Sequence, residues 1–309
     1  MTIERMCYLA GVSRAGYYRE LLGKKPDEAE MAVRAAIQEV VLAHRRRYGY
    51  RRVSMDLHRR GMIINHKRVL RIMREDNLLA IRYRKYILTT DSQHEHAVYV
   101  NLAARMTVTG INQLWVADIT YIRLRVEFVF LAVIIDRFSR KAIGWALDRT
   151  LAARVAVTAL RQAIARRQPP PGVVHHSDQG VQYACADYVE ELTTNHMVPS
   201  MSRPANPYDN ATCESFMKTL KQEEIYCHQY RDFEELSTHL EEFIGNYYNR
   251  QRLHSALGYR TPEEFERDTT DAATTTAPYD AATVEYFRPP RPPAGDAGIA
   301  GSAAGKELK

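Results

Sequence analysis

The fold is decided by residues 114–124, which read Leu-Trp-Val-Ala-Asp-Ile-Thr-Tyr-Ile-Arg-Leu. Their β-branched and aromatic side chains predict a strand, and two similar runs follow at 127–135 and 141–147 after turn residues. The chain then alternates between predicted helices and short strands, which lie at 152–167 (helix), 173–175 (strand), 182–195 (helix), 197–201 (strand), 207–226 (helix) and 233–249 (helix). This order predicts an α/β fold in which helices flank a mixed sheet.

A small all-helical region is predicted upstream of the sheet, over residues 1–90. An apolar stripe over 28–47 predicts one helix, and Asn65 is a suitable N-cap for a last helix that ends at Glu75. A shorter helix ends near Gly61. Two short helices therefore flank a glycine-containing turn, which is typical of a helix-turn-helix.

The same region is the basic part of the chain. Residues 1–110 contain 21 Lys and Arg against 11 Asp and Glu, whereas the whole chain has a net charge of +6. A positive first third indicates a polyanionic partner, most simply nucleic acid, and a solvated basic surface is the alternative. We expect the last helix to contact DNA through its basic face, formed by Lys67, Arg68, Arg71 and Arg74.

Composition argues against a membrane or disulfide-bonded protein. The longest apolar run, 128–135, has eight residues, against the roughly 20 that a membrane helix needs. The four cysteines form no Cys-x-x-Cys pair, as expected of free thiols in a reducing cytoplasm. Residues 91–110 read as a polar connector. The Ala/Thr/Pro/Gly-rich segment 266–309 predicts a disordered tail, because it cannot bury enough surface to order itself.

Three carboxylates stand out by their position in this pattern. Asp118 interrupts an apolar strand, where a buried charge is costly without a partner. Asp178 closes the fourth strand, and Gly180 allows a tight turn at this strand end, where sites in α/β sheets collect. Glu214 lies on a later helix. Each also has a structural interpretation, since Asp178 can simply form the turn and Glu214 can be a surface residue.

A divalent cation would allow the three acids to converge. Without one, their mutual repulsion would force protons onto them. Mg²⁺ or Mn²⁺ takes oxygen ligands and shares phosphate oxygens with a substrate. Two such ions, roughly 3.5–4 Å apart, can activate a water or sugar hydroxyl and stabilise the leaving oxygen. Together with a basic helical region, this favours a DNA backbone as the substrate.

The motifs around these acids resemble a known family. Asp118, Asp178 and Glu214, with 35 residues between the last two, match the D-D-35-E pattern of retroviral-integrase-type transposases. The surrounding sequence is similar to the second reading frame (OrfB) of the insertion-sequence-three family over about residues 5–265. The similar stretches are Tyr48-Gly-Tyr-Arg-Arg, Asn65-His-Lys-Arg68, Trp115-Val-Ala-Asp-Ile-Thr-Tyr121, His176-Ser-Asp-Gln-Gly-Val-Gln-Tyr183, Asn206-Pro-Tyr-Asp-Asn-Ala211, Tyr248-Asn-Arg-Gln-Arg-Leu-His254 and Leu257-Gly-Tyr-Arg-Thr-Pro262.

The resemblance implies an RNase H-like catalytic core over 111–265 and a bacterial, nucleoid-associated enzyme in the cytoplasm. It implies Mg²⁺-dependent cleavage at element ends, which frees 3′-hydroxyls that attack a target phosphodiester. Asp118, Asp178 and Glu214 would be the metal ligands of two Mg²⁺ or Mn²⁺ ions. The implied partners are DNA, further copies of the chain on DNA, and an upstream-frame (OrfA) protein or fusion.

Basic residues near the third acid are further candidates for DNA contact. Lys218 and Lys221 lie at i+4 and i+7 from Glu214 and share its helix face. They are expected to meet DNA phosphates, and an ordinary intrahelical Glu–Lys pair is the alternative. Arg252 and His254 follow two tyrosines near a helix end, which suits a nucleic-acid surface as well as an ordinary helix terminus.

Other residues near the acids have supporting roles in this hypothesis. His176 and Gln182 flank Asp178 and are expected to orient substrate. Asp209 is expected to cap the start of the helix that carries Glu214. The leading hypothesis is a DNA transposase. The alternatives are a non-catalytic DNA-binding regulator of transposition and a metal-dependent nuclease of the RNase H type.

Overall fold

A computed structural model of the chain divides it into two compact units, residues 1–270 and 271–309. The architecture below is that of the first unit. The structure describes residues 2–21, 28–80, 99–125, 127–203 and 210–274. The predicted cap Asp209 and residues 275–309 of the predicted tail lie outside this range.

Five strands form one mixed sheet in the order β3-β2-β1-β4-β5. β2 pairs antiparallel with both β1 and β3, whereas β4 runs parallel to β1 and to β5. The predicted α/β fold with a mixed sheet is therefore confirmed. The strands are β1 (Leu114–Arg123), β2 (Phe128–Asp136), β3 (Ala142–Asp148), β4 (Val174–Ser177) and β5 (Val198–Met201).

Helices cover both faces of this sheet, because the strands alternate buried side chains between the two faces. Trp115 of β1 packs in a cluster with helices behind the sheet, whereas its neighbour Val116 packs in a second cluster on the front. The helices are α6 (Ala153–Arg167), α7 (Val181–Ala184) and α8 (Ala186–Thr194) behind, and α9 (Ala211–Glu223) and α10 (Phe233–Glu241) in front. α10 continues as a π-helix over Glu242–Gln251.

The N-terminal part is all-helical, as predicted. It contains α1 (Ile3–Leu9), α2 (Arg14–Leu21), α3 (Glu28–Ala43), α4 (Tyr50–Arg59) and α5 (His66–Glu75). The apolar stripe of α3 is buried, and so are the apolar positions of α4 and α5. Asn65 caps α5 as expected, since its Oδ1 accepts the backbone N–H of Lys67 at 2.8 Å.

The helical part and the sheet share one continuous apolar cluster. Tyr48 is fully buried between them. Its hydroxyl donates to the carbonyl of Gln251 and accepts the backbone N–H of Leu253, both at 3.0 Å. Arg47 donates through Nε to the carbonyl of Glu223 at 2.8 Å. The two parts therefore pack as one body, which fixes the N-terminal helices relative to the sheet.

The predicted boundary at residue 265 is wrong, because it falls inside a helix, α11 (Pro262–Thr274). Glu266 is 8% exposed and forms ion pairs with Arg167 and with Lys141. These contacts to the sheet side of the molecule order a stretch whose composition alone resembles the tail. The predicted helix over 182–195 is likewise interrupted, at Cys185.

Gly144 of β3 provides a test of the packing of α6 on the sheet. A Cβ at this position would lie 2.3 Å from the carbonyl oxygen of Ala159. We expect Gly144→Ala to lower the free energy of unfolding by about 2–3 kcal/mol, since backbone must move to relieve the clash. Gly245→Ala is the matched control, because a Cβ there meets no heavy atom within 4 Å. Urea denaturation of both variants makes the comparison, and equal stabilities would contradict this packing.

Candidate active site

Asp118 and Asp178 are brought together by the register of β1 and β4. The two strands run parallel, and Val116 pairs with His176. Each acid lies two residues further along its own strand direction, so Asp118 in the middle of β1 lies level with Asp178, which directly follows the end of β4. Asp118 is half-buried in the central strand, and Asp178 is half-buried just after β4 ends.

The turn after β4 is shaped by Asp178 itself. Its Oδ1 accepts the backbone N–H of Gly180 at 3.0 Å. A Cβ on Gly180 would lie 2.9 Å from this oxygen and 3.1 Å from Oε1 of Gln182. A larger residue at position 180 would displace these two side-chain oxygens, so glycine leaves the carboxylate of Asp178 its orientation.

Glu214 reaches the same part of the sheet because the start of α9 is anchored on β1. Asn210 donates from Nδ2 to the carbonyl of Ala117 at 2.8 Å, and the thiol of Cys213 donates to the carbonyl of Val116 at 3.3 Å. Cys213 is fully buried, whereas its neighbour Glu214 is exposed. These two contacts hold the exposed carboxylate next to the strand that carries Asp118.

The electrostatics show that the three acids influence one another. The pKa of Asp118 is raised to about 7, chiefly by burial and in addition by the carboxylates of Asp178 and Glu214, while the N–H of Ile119 and the charge of Lys221 oppose this rise. A carboxylate in this position is hard to ionise unless a cation compensates it.

Lys221 supplies part of that compensation. It is half-buried, and its Nζ lies 5.5 Å from the ring centroid of Tyr121 on β1. Burial lowers the pKa of Lys221, and the charge of Asp118 opposes this shift. Lys218, one turn earlier on α9, is exposed. The predicted shared face of Glu214, Lys218 and Lys221 thus includes one lysine directed at the acids.

The donor set suits a hard divalent cation, because all three side chains offer carboxylate oxygens. The donor atoms of the three acids are more widely spread than those of a second group, formed by Glu224, His228 and His239. In the described part of the chain, only that second group has donor atoms that all lie within 4.8 Å of one another. The three acids therefore form an open arrangement, which leaves space between the carboxylates.

Known proteins match this sequence over most of its length. Residues 109–207 and 195–262 match the family described as integrase core domain, and residues 27–86 match the one described as HTH-like domain. An uncharacterised 31 kDa protein of insertion element IS600 from Shigella sonnei is 36% identical over 84% of this chain and 97% of its own length. The transposase InsF of insertion sequence IS3A from Escherichia coli K12 is 35% identical over 86% of this chain and 94% of its own length.

The chain belongs to the IS3 family of transposases. This confirms the family that the motifs indicated, together with its integrase-type core and helix-turn-helix-like region. A third relative, the transposase of insertion sequence element IS904 from Lactococcus lactis, is 36% identical over 75% of this chain and 92% of its own length. Asp118 and Asp178 lie in the first stretch that matches the integrase core, and Glu214 lies in the second.

His176 does not have the substrate-orienting position predicted for it in this IS3-family chain. It is fully buried, and its two ring nitrogens lie 2.9 Å from Oγ of Ser200 and 3.0 Å from Oγ of Ser202. These contacts tie β4 to β5 and its following loop, and so position the strand that ends at Asp178. Gln182 is half-buried and donates to the carbonyl of Leu151 at 3.2 Å, so its amide braces the loop beside Asp178.

Arg252 and His254 are also buried, and their predicted exposed position needs correction. Arg252 is 5% exposed and donates twice to the carboxylate of Glu223, at 2.9 and 2.8 Å. Arg52 of α4 donates to the same carboxylate at 3.1 Å. Burial and the charge of Arg252 lower the pKa of His254 to about 2, so this imidazole is neutral. Glu223 was missed in the sequence because nothing in its local motif shows that two arginines meet it.

The basic face of α5 is less uniformly positive than the sequence indicates. Arg71 pairs with Glu75 at 2.8 Å and with Glu30 of α3 at 3.3 Å, and Arg68 lies 3.6 Å from Glu30. Lys67 and Arg74 are exposed and form no ion pair among the described residues. The glutamate of α3 escaped prediction because it is distant in sequence.

The raised pKa of Asp118 gives a test in metal-free protein. The folded state binds this proton more tightly than the unfolded chain, so the contribution of Asp118 to stability falls as the pH rises from about 4 through about 7. We expect the unfolding free energy of wild type minus that of Asp118→Asn to decrease over this pH range in EDTA. Urea denaturation at a series of pH values measures it.

Asp148→Asn is the control for this experiment, because Arg154 lowers the pKa of Asp148 to about 2. Its stabilising contribution is present above about pH 4 and is lost as the pH falls towards about 2, the opposite sign. If the unfolding free energy of wild type minus that of Asp118→Asn stays constant or increases between pH 4 and 7, the described site is contradicted.

Proposed function

We propose that this chain cleaves the ends of its insertion element and joins the 3′-hydroxyl to a target phosphodiester, using Asp118, Asp178 and Glu214 as the ligands of two Mg²⁺ or Mn²⁺ ions. The observation that carries the proposal is the raised pKa of Asp118 beside two further carboxylates. Such a group of acids is stable in its ionised form when a divalent cation lies among them. When bound, the ions activate the attacking oxygen and stabilise the leaving oxygen.

The remaining residues of the site hold the DNA strand. Lys221 lies beside the acids, and its positive charge favours the ionised form of Asp118. From the same position it also neutralises a phosphate next to the reacting bond. Lys218 extends this positive face of α9 towards solvent. Gln182 and Gly180 keep the loop after β4 compact, so that Asp178 keeps one orientation while substrate enters.

The helical N-terminal part is proposed to bind DNA through α5. Lys67 and Arg74 are the leading contacts, because they are exposed and free of ion pairs within the described residues. Arg68 and Arg71 can contribute only by exchanging Glu30 or Glu75 for a phosphate. The buried joint around Tyr48 would transmit this docking to the catalytic sheet without a flexible hinge.

We also propose that the chain acts as a homo-oligomer on DNA, with a protein or fusion from the upstream frame. Joining two element ends requires two active sites on one DNA complex, and one chain contains one set of the three acids. Mass photometry of the protein with and without a duplex of the element end tests this. A complex with a single chain per duplex under conditions that give strand transfer would contradict it.

Asp178→Asn and Glu214→Gln test the catalytic proposal. We expect Mg²⁺-dependent strand transfer by purified protein to fall at least about a thousandfold in each, because a ligand of the reacting centre is lost. Binding of the same duplex in EDTA should stay within about twofold, since neither change removes a positive charge. Glu190→Gln, an exposed acid on α8, is the control and should keep full activity.

The outcome also separates the alternative functions. Binding without any nicking, unchanged in Asp178→Asn, would identify a non-catalytic regulator and sink the proposal. Cleavage without joining, indifferent to the end sequence, would identify a nuclease of the RNase H type instead.

Variants of α5 test the DNA-binding role of the helical part. Lys67→Ala and Arg74→Ala should each weaken duplex binding and reduce the slope of log Kd against log salt concentration by about 1. Arg71→Ala should change this slope much less, since Glu75 and Glu30 already balance its charge. Fluorescence anisotropy titrations over a range of salt concentrations measure all three. Equal effects of the three variants would show that the ion pairs of Arg71 do not persist in solution.

A further inference from the structure

A polar pocket lies beside α9, the helix that carries Glu214. It has a volume of about 130 Å³, which is roughly ten times the space that one water needs. Its walls include three arginines, Arg52, Arg140 and Arg252, and several hydroxyl groups, among them those of Ser215 and Thr219 on α9.

The charge of the pocket is positive. Glu223 is the carboxylate that pairs with Arg52 and Arg252, and it leaves one of these two charges uncompensated. Arg140 adds another, since it forms no ion pair within the described part of the chain. Arg140 lines the pocket together with Tyr248 and His254. Burial raises the pKa of Tyr248 and lowers that of His254, and the nearby charge of Arg140 acts to lower both. An anion placed here would therefore meet uncompensated arginines together with hydroxyl donors.

The pocket is adjacent to the face of α9 that carries Glu214. Successive residues of a helix are separated by about 100° around its axis. Glu214, Lys218 and Lys221 therefore fall within one narrow sector, and Ser215 and Thr219 fall in the next sector, away from the buried side of α9. A DNA strand that crosses α9 at the acids would next pass over the mouth of this pocket.

We propose that the pocket is a phosphate-binding subsite, which holds a backbone phosphate of the DNA strand next to the one that reacts at Asp118, Asp178 and Glu214. Arg140 supplies the free charge, and the hydroxyls of Ser215 and Thr219 donate to the phosphate oxygens. Arg252 is a buried wall of the subsite, fixed by Glu223. The inference rests on the proposed DNA-joining function and adds a residue set that positions the substrate.

Arg140→Gln tests the subsite, because Gln retains polarity and hydrogen-bonding capacity but removes the charge. We expect Kd for a duplex of the element end, measured in EDTA, to rise about tenfold, and the slope of log Kd against log salt concentration to fall by about 1. Arg140→Lys should retain most of the affinity. Arg166→Gln is the matched control, as it removes an exposed arginine of α6 on the other face of the sheet, one that likewise has no ion pair among the described residues.

The contact itself is located by DNA with a single neutral methylphosphonate linkage, moved along the strand. At one position the neutral linkage should weaken binding by wild type but not by Arg140→Gln. Equal Kd and salt slope for wild type and Arg140→Gln, or the absence of such a position, would overturn the subsite. If Arg140→Gln unfolds in a thermal scan, the same linkage scan with Ser215→Ala decides the question.

Failure of the subsite is distinguishable from failure of the catalytic proposal. Asp178→Asn should retain the duplex affinity and the sensitive linkage position while it abolishes strand transfer. If Arg140→Gln binds like wild type and Asp178→Asn is still inactive, only the subsite is wrong. If Asp178→Asn is fully active, the catalytic proposal fails whatever Arg140 does.

Discussion

The constraint on which the rest of this structure depends is the repulsion between carboxylates that meet beside the middle of the central strand, β1. The parallel register of β1 and β4 sets Asp118 beside Asp178. Burial and the neighbouring carboxylates make ionisation of Asp118 costly, so that its pKa rises to about 7. A fold selected only for stability would avoid this arrangement. Its presence at the central strand of the sheet favours a role for these acids in binding a ligand.

The surrounding structure holds the three acids in place while the hydrophobic core stays buried. Asn210 and Cys213 bind the carbonyls of β1 and so locate Glu214. His176, fully buried between two serines, holds β4 in register. On the far side of α9, Glu223 ties Arg252 to Arg52 of the helical part. A buried charge pair of this kind adds little net stability, but it fixes how the helix-turn-helix-like region packs on the sheet.

Much of this fold could be predicted from the sequence, because its signals are local. The three antiparallel strands, the stripe of α3 and the Asn65 cap each follow from residues that are neighbours along the chain or one turn apart. The acids were recognisable for a similar reason, since Asp118 breaks an apolar run and the family motifs surround all three.

The errors arose where a partner lies far away in sequence. Arg252 and His254 have the composition of a nucleic-acid surface, but Glu223 and the packing of the π-helix bury them. Arg71 pairs with Glu75 one turn along its own helix, and Glu30 of the distant α3 adds a second ion pair that its own helix does not reveal. α11 continues into a segment with the composition of a tail because Arg167 binds Glu266. Spacing along a helix or strand indicates the direction of a side chain, whereas only the tertiary fold shows which residues that side chain contacts.

The most direct test of the account is the position of a divalent ion in crystals of the protein grown with Mn²⁺. Anomalous scattering at the manganese edge should show density between the carboxylates of Asp118, Asp178 and Glu214, and crystals of Asp178→Asn should lose it. Density confined to the tighter group of Glu224, His228 and His239, or no density at the three acids at saturating Mn²⁺, would contradict the assignment of the active site.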